Sequence, residues 1–231
     1  LEALKLKYFY DMTKVRKESE TAKSGTSPVT PKKIDATPVS GIKFRLVKHF
    51  EIPSSEGEKQ YGIKLTNRKI SIEDLVNNIR DGAYKGMNKH SEVPGIMLNE
   101  FGLKRQYADL KSITGWYAVD IDRGKNPLLT EKNAPLVRDL LFLNCPEVKV
   151  AFVSISGKGV KLIAHSPPPK IDVAKIRAES DAEKKVWRDH YNECISRLVK
   201  QSRVTLIIDP AQSLINQVIF MSTDAGIKFR R

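Results

Sequence analysis

Two aspartates two residues apart, Asp120 and Asp122, lie inside the apolar run Trp116-Tyr-Ala-Val-Asp-Ile-Asp122. Alternate side chains of a strand share a face, so Tyr117, Val119 and Ile121 turn to a core while both carboxylates project from the other side. Carboxylates held side by side raise each other's pKa, a cost that a divalent cation or a basic partner removes. A strand end with two solvated aspartates is the plainer alternative; Val119 and Ile121, bracketing Asp120 inside the apolar pattern, count against it. One strand later, Ser156, Gly157, Lys158, Gly159 and Lys161 bring two glycines, a hydroxyl and two ammonium groups into one turn. Glycines let successive N–H groups face an anion and lysines add charge, which suits a triphosphate. The spacing is not that of a Walker A loop, which needs G-x-x-x-x-G-K-[ST] opening a helix. By itself SGKG is also an ordinary hairpin turn with a solvated lysine; its place one strand after the paired aspartates gives it weight.

Two divalent ions want a third carboxylate, since each takes several oxygen ligands. Asp209, at the end of Arg203-Val-Thr-Leu-Ile-Ile-Asp209, is the first candidate and Asp224 the second. A strand simply meeting a turn at Asp209-Pro210 produces the same pattern. Lys104 and Arg105 shortly precede the aspartate strand and are candidates for contact with a nucleic-acid strand near the site.

The elements that must position these groups follow from periodicity. Leu1, Leu4, Tyr8, Met12 and Val15 form one apolar helical stripe, so residues 1–18 are expected to be an amphipathic helix. Residues 19–40, rich in Ser, Thr, Pro and Lys, are expected to be a flexible linker, and 41–231 the catalytic domain. Alternation at Ile42, Phe44 and Leu46, then at Tyr61, Ile63 and Leu65, with Pro53–Gly57 between them, predicts a hairpin. Ser71 and Asp74 resemble a capping box for a helix that stops near Gly82. Further helices are expected over 130–144 and 182–201, and strands over 116–122, 148–154, 160–164, 204–208 and 218–221. The fold class is α+β, a mixed or antiparallel sheet flanked by helices.

A net charge of +13, from 40 Lys+Arg against 27 Asp+Glu, points to a polyanionic partner, nucleic acid first. About half of that excess lies in the first 70 residues. No stretch approaches the ~20 apolar residues that span a bilayer, and no signal peptide is visible, so no membrane partner and a cytoplasmic location are expected. Cys145 and Cys194 are too few for a disulfide framework or a four-cysteine zinc site and are expected to be buried small residues.

GWYAVDID, AFVSISGKGVK and the later LIIDP with VIFMSTD resemble, in order and spacing, the three motifs of archaeo-eukaryotic-type primase-polymerases. More closely, the chain is similar to the primase-like N-terminal domain associated with virulence-protein-E-type helicases of Bacteroidetes mobile elements. The resemblance runs from about Gly41 to the C-terminus and includes ISIEDLVNNIRDGAYKG. It implies a primase-polymerase core in which Asp120, Asp122 and Asp209 bind catalytic Mg2+ or Mn2+ and Ser156, Lys158 and Lys161 hold the phosphates of an incoming nucleotide. Two positions depart from the pattern: Lys161 stands where many members carry histidine, and Gln217 where the close family tends to have arginine. Lysine still binds phosphate as a point charge. His165, about 13 Å along the strand from Lys161, is read as structural.

The expected function is therefore template-directed nucleotidyl transfer on single-stranded DNA, from nucleoside triphosphates, with a replicative helicase in cis or in trans as a partner. Asp120→Ala is expected to abolish extension with the fold intact. The first alternative is a non-catalytic single-strand or origin DNA-binding module. The second is a metal-dependent nuclease or relaxase, for which four scattered histidines are a poor basis.

Overall fold

Alternation starting at Lys43 builds the first long ribbon. In the computed structural model, which describes residues 39, 41–52, 60–208 and 213–230, β1 (Lys43–Ile52) pairs antiparallel with β2 (Gln60–Ser71), Phe44 opposite Ile70 and Val47 opposite Leu65. The expected N-terminal helix, the linker apart from Val39, the Pro53–Gly57 turn and Asp209 lie outside the described residues. The free side of β1 takes β3 (Gly95–Met97), which in turn pairs with β9 (Val218–Phe220), giving the order β2-β1-β3-β9.

α1 (Ile72–Arg80) begins where the sequence places its cap: the Asp74 N–H donates to Ser71 Oγ at 3.0 Å, and Ser71 Oγ donates to Asp74 Oδ2 at 2.7 Å. Its buried stripe, Ile72, Leu75, Val76 and Ile79, enters the main core.

The second sheet holds β6 (Trp116–Ile121), β7 (Val148–Val153), β8 (Val160–His165) and β10 (Lys228–Phe229) in the order β10-β7-β8-β6, every pair antiparallel. α2 (Ala134–Asn144), with Pro135 in its first turn, links β6 to β7. After β8 come α3 (Val173–Arg177) and α4 (Asp181–Ser202). A small ribbon of β4 (Glu100–Phe101) and β5 (Leu110–Ser112) completes an α+β architecture.

The main core is shared between the two large sheets: Phe44, Ile70, Ile96 and Ile219 from one join Trp116, Ala118, Val150, Phe152 and Ile163 from the other. A second cluster, with Val47, Met97, Phe101, Leu110, Ile176 and Trp187, seats the β4–β5 ribbon and α3. β6 is thus covered on both faces. Trp116 and Ala118 point into the inter-sheet core, while Tyr117 meets Tyr191 of α4 edge-on at 5.9 Å and the Tyr191 hydroxyl donates to the Ala118 carbonyl at 3.1 Å. The sequence pattern suggested one buried face; the helix α4 supplies a second cover.

Both cysteines are free and buried, and burial pushes the Cys145 thiol up to about 12. The expected strand over 204–208 does not form. Arg203 leaves α4 in the left-handed region (φ 56°), and Ile207 is 58% exposed. Instead of a ladder, one amide side chain serves the backbone: Asn126 Nδ2 donates to the Ile207 carbonyl at 2.9 Å and the Ile207 N–H donates to Asn126 Oδ1 at 2.8 Å.

Candidate functional site

The site grows from the end of β6. Asp120 shares a face with Trp116 and Ala118 but lies past the edge of the inter-sheet core, and the register sets it directly opposite Lys161 of β8. Lys161 Nζ donates to Asp120 Oδ2. The lysine side chain is 4% exposed and the aspartate 34%, so the ammonium is answered inside the protein while the carboxylate opens outward.

Asp122 falls one residue beyond the strand and is exposed. Its Oδ1 accepts the Lys125 N–H at 3.2 Å, and its carbonyl accepts both the backbone N–H of Asn126 (3.1 Å) and Asn126 Nδ2 (3.0 Å). Asn126 therefore ties the loop after Asp122 to the segment that runs to Ile207.

The glycine turn joins β7 to β8. The Ser154 N–H donates to the Gly159 carbonyl and the Gly157 N–H to the Ser154 carbonyl, each at 2.8 Å. Gly157 has φ +73°, a conformation that side chains disfavour. A Cβ on Gly159 would stand 2.9 Å from both the Ile121 carbonyl oxygen and Ser154 Oγ. That close approach is what seats the turn on the end of the aspartate strand.

Asp120, Asp122, Ser156, Lys158, Gly159 and Lys161 consequently line one cavity of about 310 Å³. Gly157 forms the turn but is not among the lining residues. Lys89, Arg123, Gly124 and Ser154 complete the lining. Arg123 could have been suspected from its position beside Asp122. Lys89, from the stretch between α1 and β3, carries no signal in the sequence. Lys158 is paired at 3.3 Å with Glu131, an exposed contact.

The remaining candidates lie elsewhere. Lys104 and Arg105 are not in the cavity: the Lys104 N–H donates to Asp109 Oδ2 at 2.6 Å, and the Arg105 carbonyl accepts from Asn216 at 3.4 Å. They belong to the β4–β5 ribbon, which packs on the second cluster rather than between the sheets. Asp224 is structural. Arg138 Nη1 donates to both its oxygens at 2.8 Å, and the N–H groups of Val153 and Gly226 add bonds at 2.8 and 2.9 Å. His165 sits opposite Trp116 at the other end of the β6–β8 pair, ring centroids 5.0 Å apart, and burial holds its pKa below the ordinary histidine value.

The cavity's oxygen ligands, two carboxylates and the hydroxyls of Ser154 and Ser156, are of the kind a hard divalent cation takes, but Lys89, Arg123, Lys158 and Lys161 outnumber the carboxylates, so the lining fits such a cation only together with an anion such as phosphate. Among the described residues no three His, Cys, Asp or Glu side chains come together, so Asp120 and Asp122 form the whole described anionic set. Among those residues, too, no helix is long and apolar enough to cross a membrane.

The fold is α+β, with two antiparallel sheets that place a carboxylate strand beside a glycine-lysine turn. The family model described as BT4734-like, N-terminal domain matches residues 91–229, more than half of the chain, and the chain belongs to that family. The matched range contains the lining residues except Lys89 and leaves out β1, β2 and α1. No curated protein and no solved structure matches the chain.

Proposed function

We propose that the domain is a template-directed nucleotidyltransferase of primase-polymerase type, extending a strand on single-stranded DNA from nucleoside triphosphates. One observation carries this reading: the paired aspartates and the glycine-lysine turn, more than 30 residues apart in the chain, line a single cavity. Asp120 and Asp122 would hold Mg2+ or Mn2+, which when bound lowers the barrier to attack by a 3′-hydroxyl and stabilises charge on the departing pyrophosphate. Ser156 and Lys158 orient the triphosphate, and Lys161, fixed beside Asp120, keeps the carboxylate in place and adds positive charge at the cavity floor. Asp209 is the candidate third carboxylate. That candidacy rests on the resemblance of the LIIDP segment to the third motif. A helicase in cis or in trans is the partner class this activity wants.

A second reading, a single-strand DNA-binding module without catalysis, is favoured by the Lys161–Asp120 pair, which already neutralises one of the two described carboxylates. Incubation with primed and unprimed single-stranded templates, labelled nucleotides and each metal separates the two. Elongated product that disappears in Asp122→Asn supports transfer; template binding without any incorporation leaves the binding module, and shortening of the labelled strand indicates a nuclease.

A further inference from the structure

A second cleft opens at the other end of β6. Its volume is about 460 Å³; one wall is the base of the β1–β2 ribbon, with Lys43, Arg45 and Lys69, and the other is the β4–β5 ribbon, with Glu100, Gly102 and Lys111. Arg45 stands directly across from Lys69 in the β1–β2 register. Like charges facing one another across a ribbon destabilise it. The only ion pair these cations make among the described residues is Lys69 with Glu100, at 3.9 Å and with both side chains about half exposed, a contact worth little. Arg45 Nη1 donates to the Gly102 carbonyl, linking the two walls. The floor is mixed: Phe44 and Trp116, edge-to-face with centroids 5.5 Å apart and both buried, lie beside Asn99 and Thr114.

We infer that this cleft binds the phosphodiester backbone of a single-stranded nucleic acid through Lys43, Arg45, Lys69 and Lys111. Four cations against one carboxylate are spread over two facing walls rather than converging on a point, which fits an extended polyanion better than a small anion. They also face inward across a cleft, whereas a flat lipid surface is met by a convex patch. A floor that mixes apolar carbon with the polar groups of Asn99 and Thr114 suits the sugars and base edges that accompany phosphates. Trp116 lines this cleft and Asp120 the carboxylate cavity, four strand steps or about 13 Å apart. That spacing is roughly four nucleotides at a stacked rise of about 3.4 Å. Strand binding here does not require the transfer reaction and survives its failure.

The test is fluorescence anisotropy of a labelled oligothymidine with the full chain, over a salt series. The triple variant Lys43→Gln, Lys69→Gln, Lys111→Gln is expected to bind at least tenfold more weakly at low salt. Its slope of log affinity against log salt should be shallower by about 2, from about 0.7 per single-strand phosphate contact. Binding of ATP with Mg2+ should be unchanged in that variant, whereas Asp122→Asn should show the reverse pattern. Wild-type affinity and slope in the triple variant would overturn the inference, as would an equal loss of ATP binding, or loss of binding to anionic vesicles with oligonucleotide binding intact. If circular dichroism shows the triple variant misfolded, Lys69→Gln alone decides: a slope shallower by about 0.7 supports strand binding and an unchanged slope refutes it.

Discussion

Two aspartates in this molecule each meet a buried cation, and they do opposite things. Asp224 is 10% exposed, its partner Arg138 6%, and four hydrogen bonds from Arg138, Val153 and Gly226 reach its oxygens. Asp120 is 34% exposed against a 4% exposed Lys161, and it lines a cavity. A carboxylate enclosed by donors from three directions is a rivet between β7 and the C-terminal segment. One that receives a lysine from behind and faces a cavity in front is placed to receive a ligand. Exposure alone does not separate the two, since Asp139 also meets Arg138 and is 44% exposed; what sets Asp120 apart is that its open side lines the cavity shared with Asp122 and the glycine-lysine turn.

The largest effect expected from breaking that contrast is on stability. Arg138→Met strands Asp224 in the interior and should cost about 3–5 kcal/mol, a fall in thermal midpoint on the order of 10 °C. Triphosphate binding by the remaining folded fraction should be unchanged in calorimetric titration. Next comes the site itself. Asp122→Asn is expected to lower metal-dependent incorporation by about 10²-fold or more. Because Asp122 is exposed, its thermal midpoint should move by no more than about 2 °C.

Asp120→Ala should match that loss of incorporation and, unlike the expectation from sequence, also destabilise by about 1–3 kcal/mol, since Lys161 loses its partner. The figure is below the fully buried range because Asp120 is partly solvated. A cost equal to that of Arg138→Met would erase the distinction between the two pairs. Lys161→Met should weaken triphosphate binding about tenfold with a smaller stability change, because the uncovered carboxylate can hydrate. Smallest is Glu131→Gln, which frees Lys158 from a pair whose side chains are 43% and 64% exposed. Triphosphate affinity should rise by a few-fold at most while the midpoint stays within about 2 °C.

Much of the local structure was legible without coordinates. The β1–β2 hairpin, the Ser71–Asp74 cap of α1, the helix α4 and the strand-turn-strand of β7 and β8 all stand where periodicity and turn residues put them. Patterning misled at 204–208, an apolar run that reads as a strand yet has its Ile207 backbone bonded by Asn126. Whether Lys104 and Arg105 would reach the cavity was not legible either, because proximity in the chain says nothing about which layer a ribbon packs against; they do not line it. Lys89 reaches the cavity from a distant loop and could not be found by spacing.

The chain by itself determined which groups are available: a carboxylate pair on an apolar strand, a glycine turn bearing lysines, and an excess of positive charge. Each is a short-range property, set by alternation of side chains and by glycine's freedom at φ +73° in Gly157. Only the tertiary structure decided which carboxylate faces a cavity and which is locked away. That choice depends on the register of β6 against β8, which puts Lys161 behind Asp120, and on the packing that encloses Asp224 around Arg138. Both are contacts between residues far apart in sequence, fixed by the shared core of two sheets.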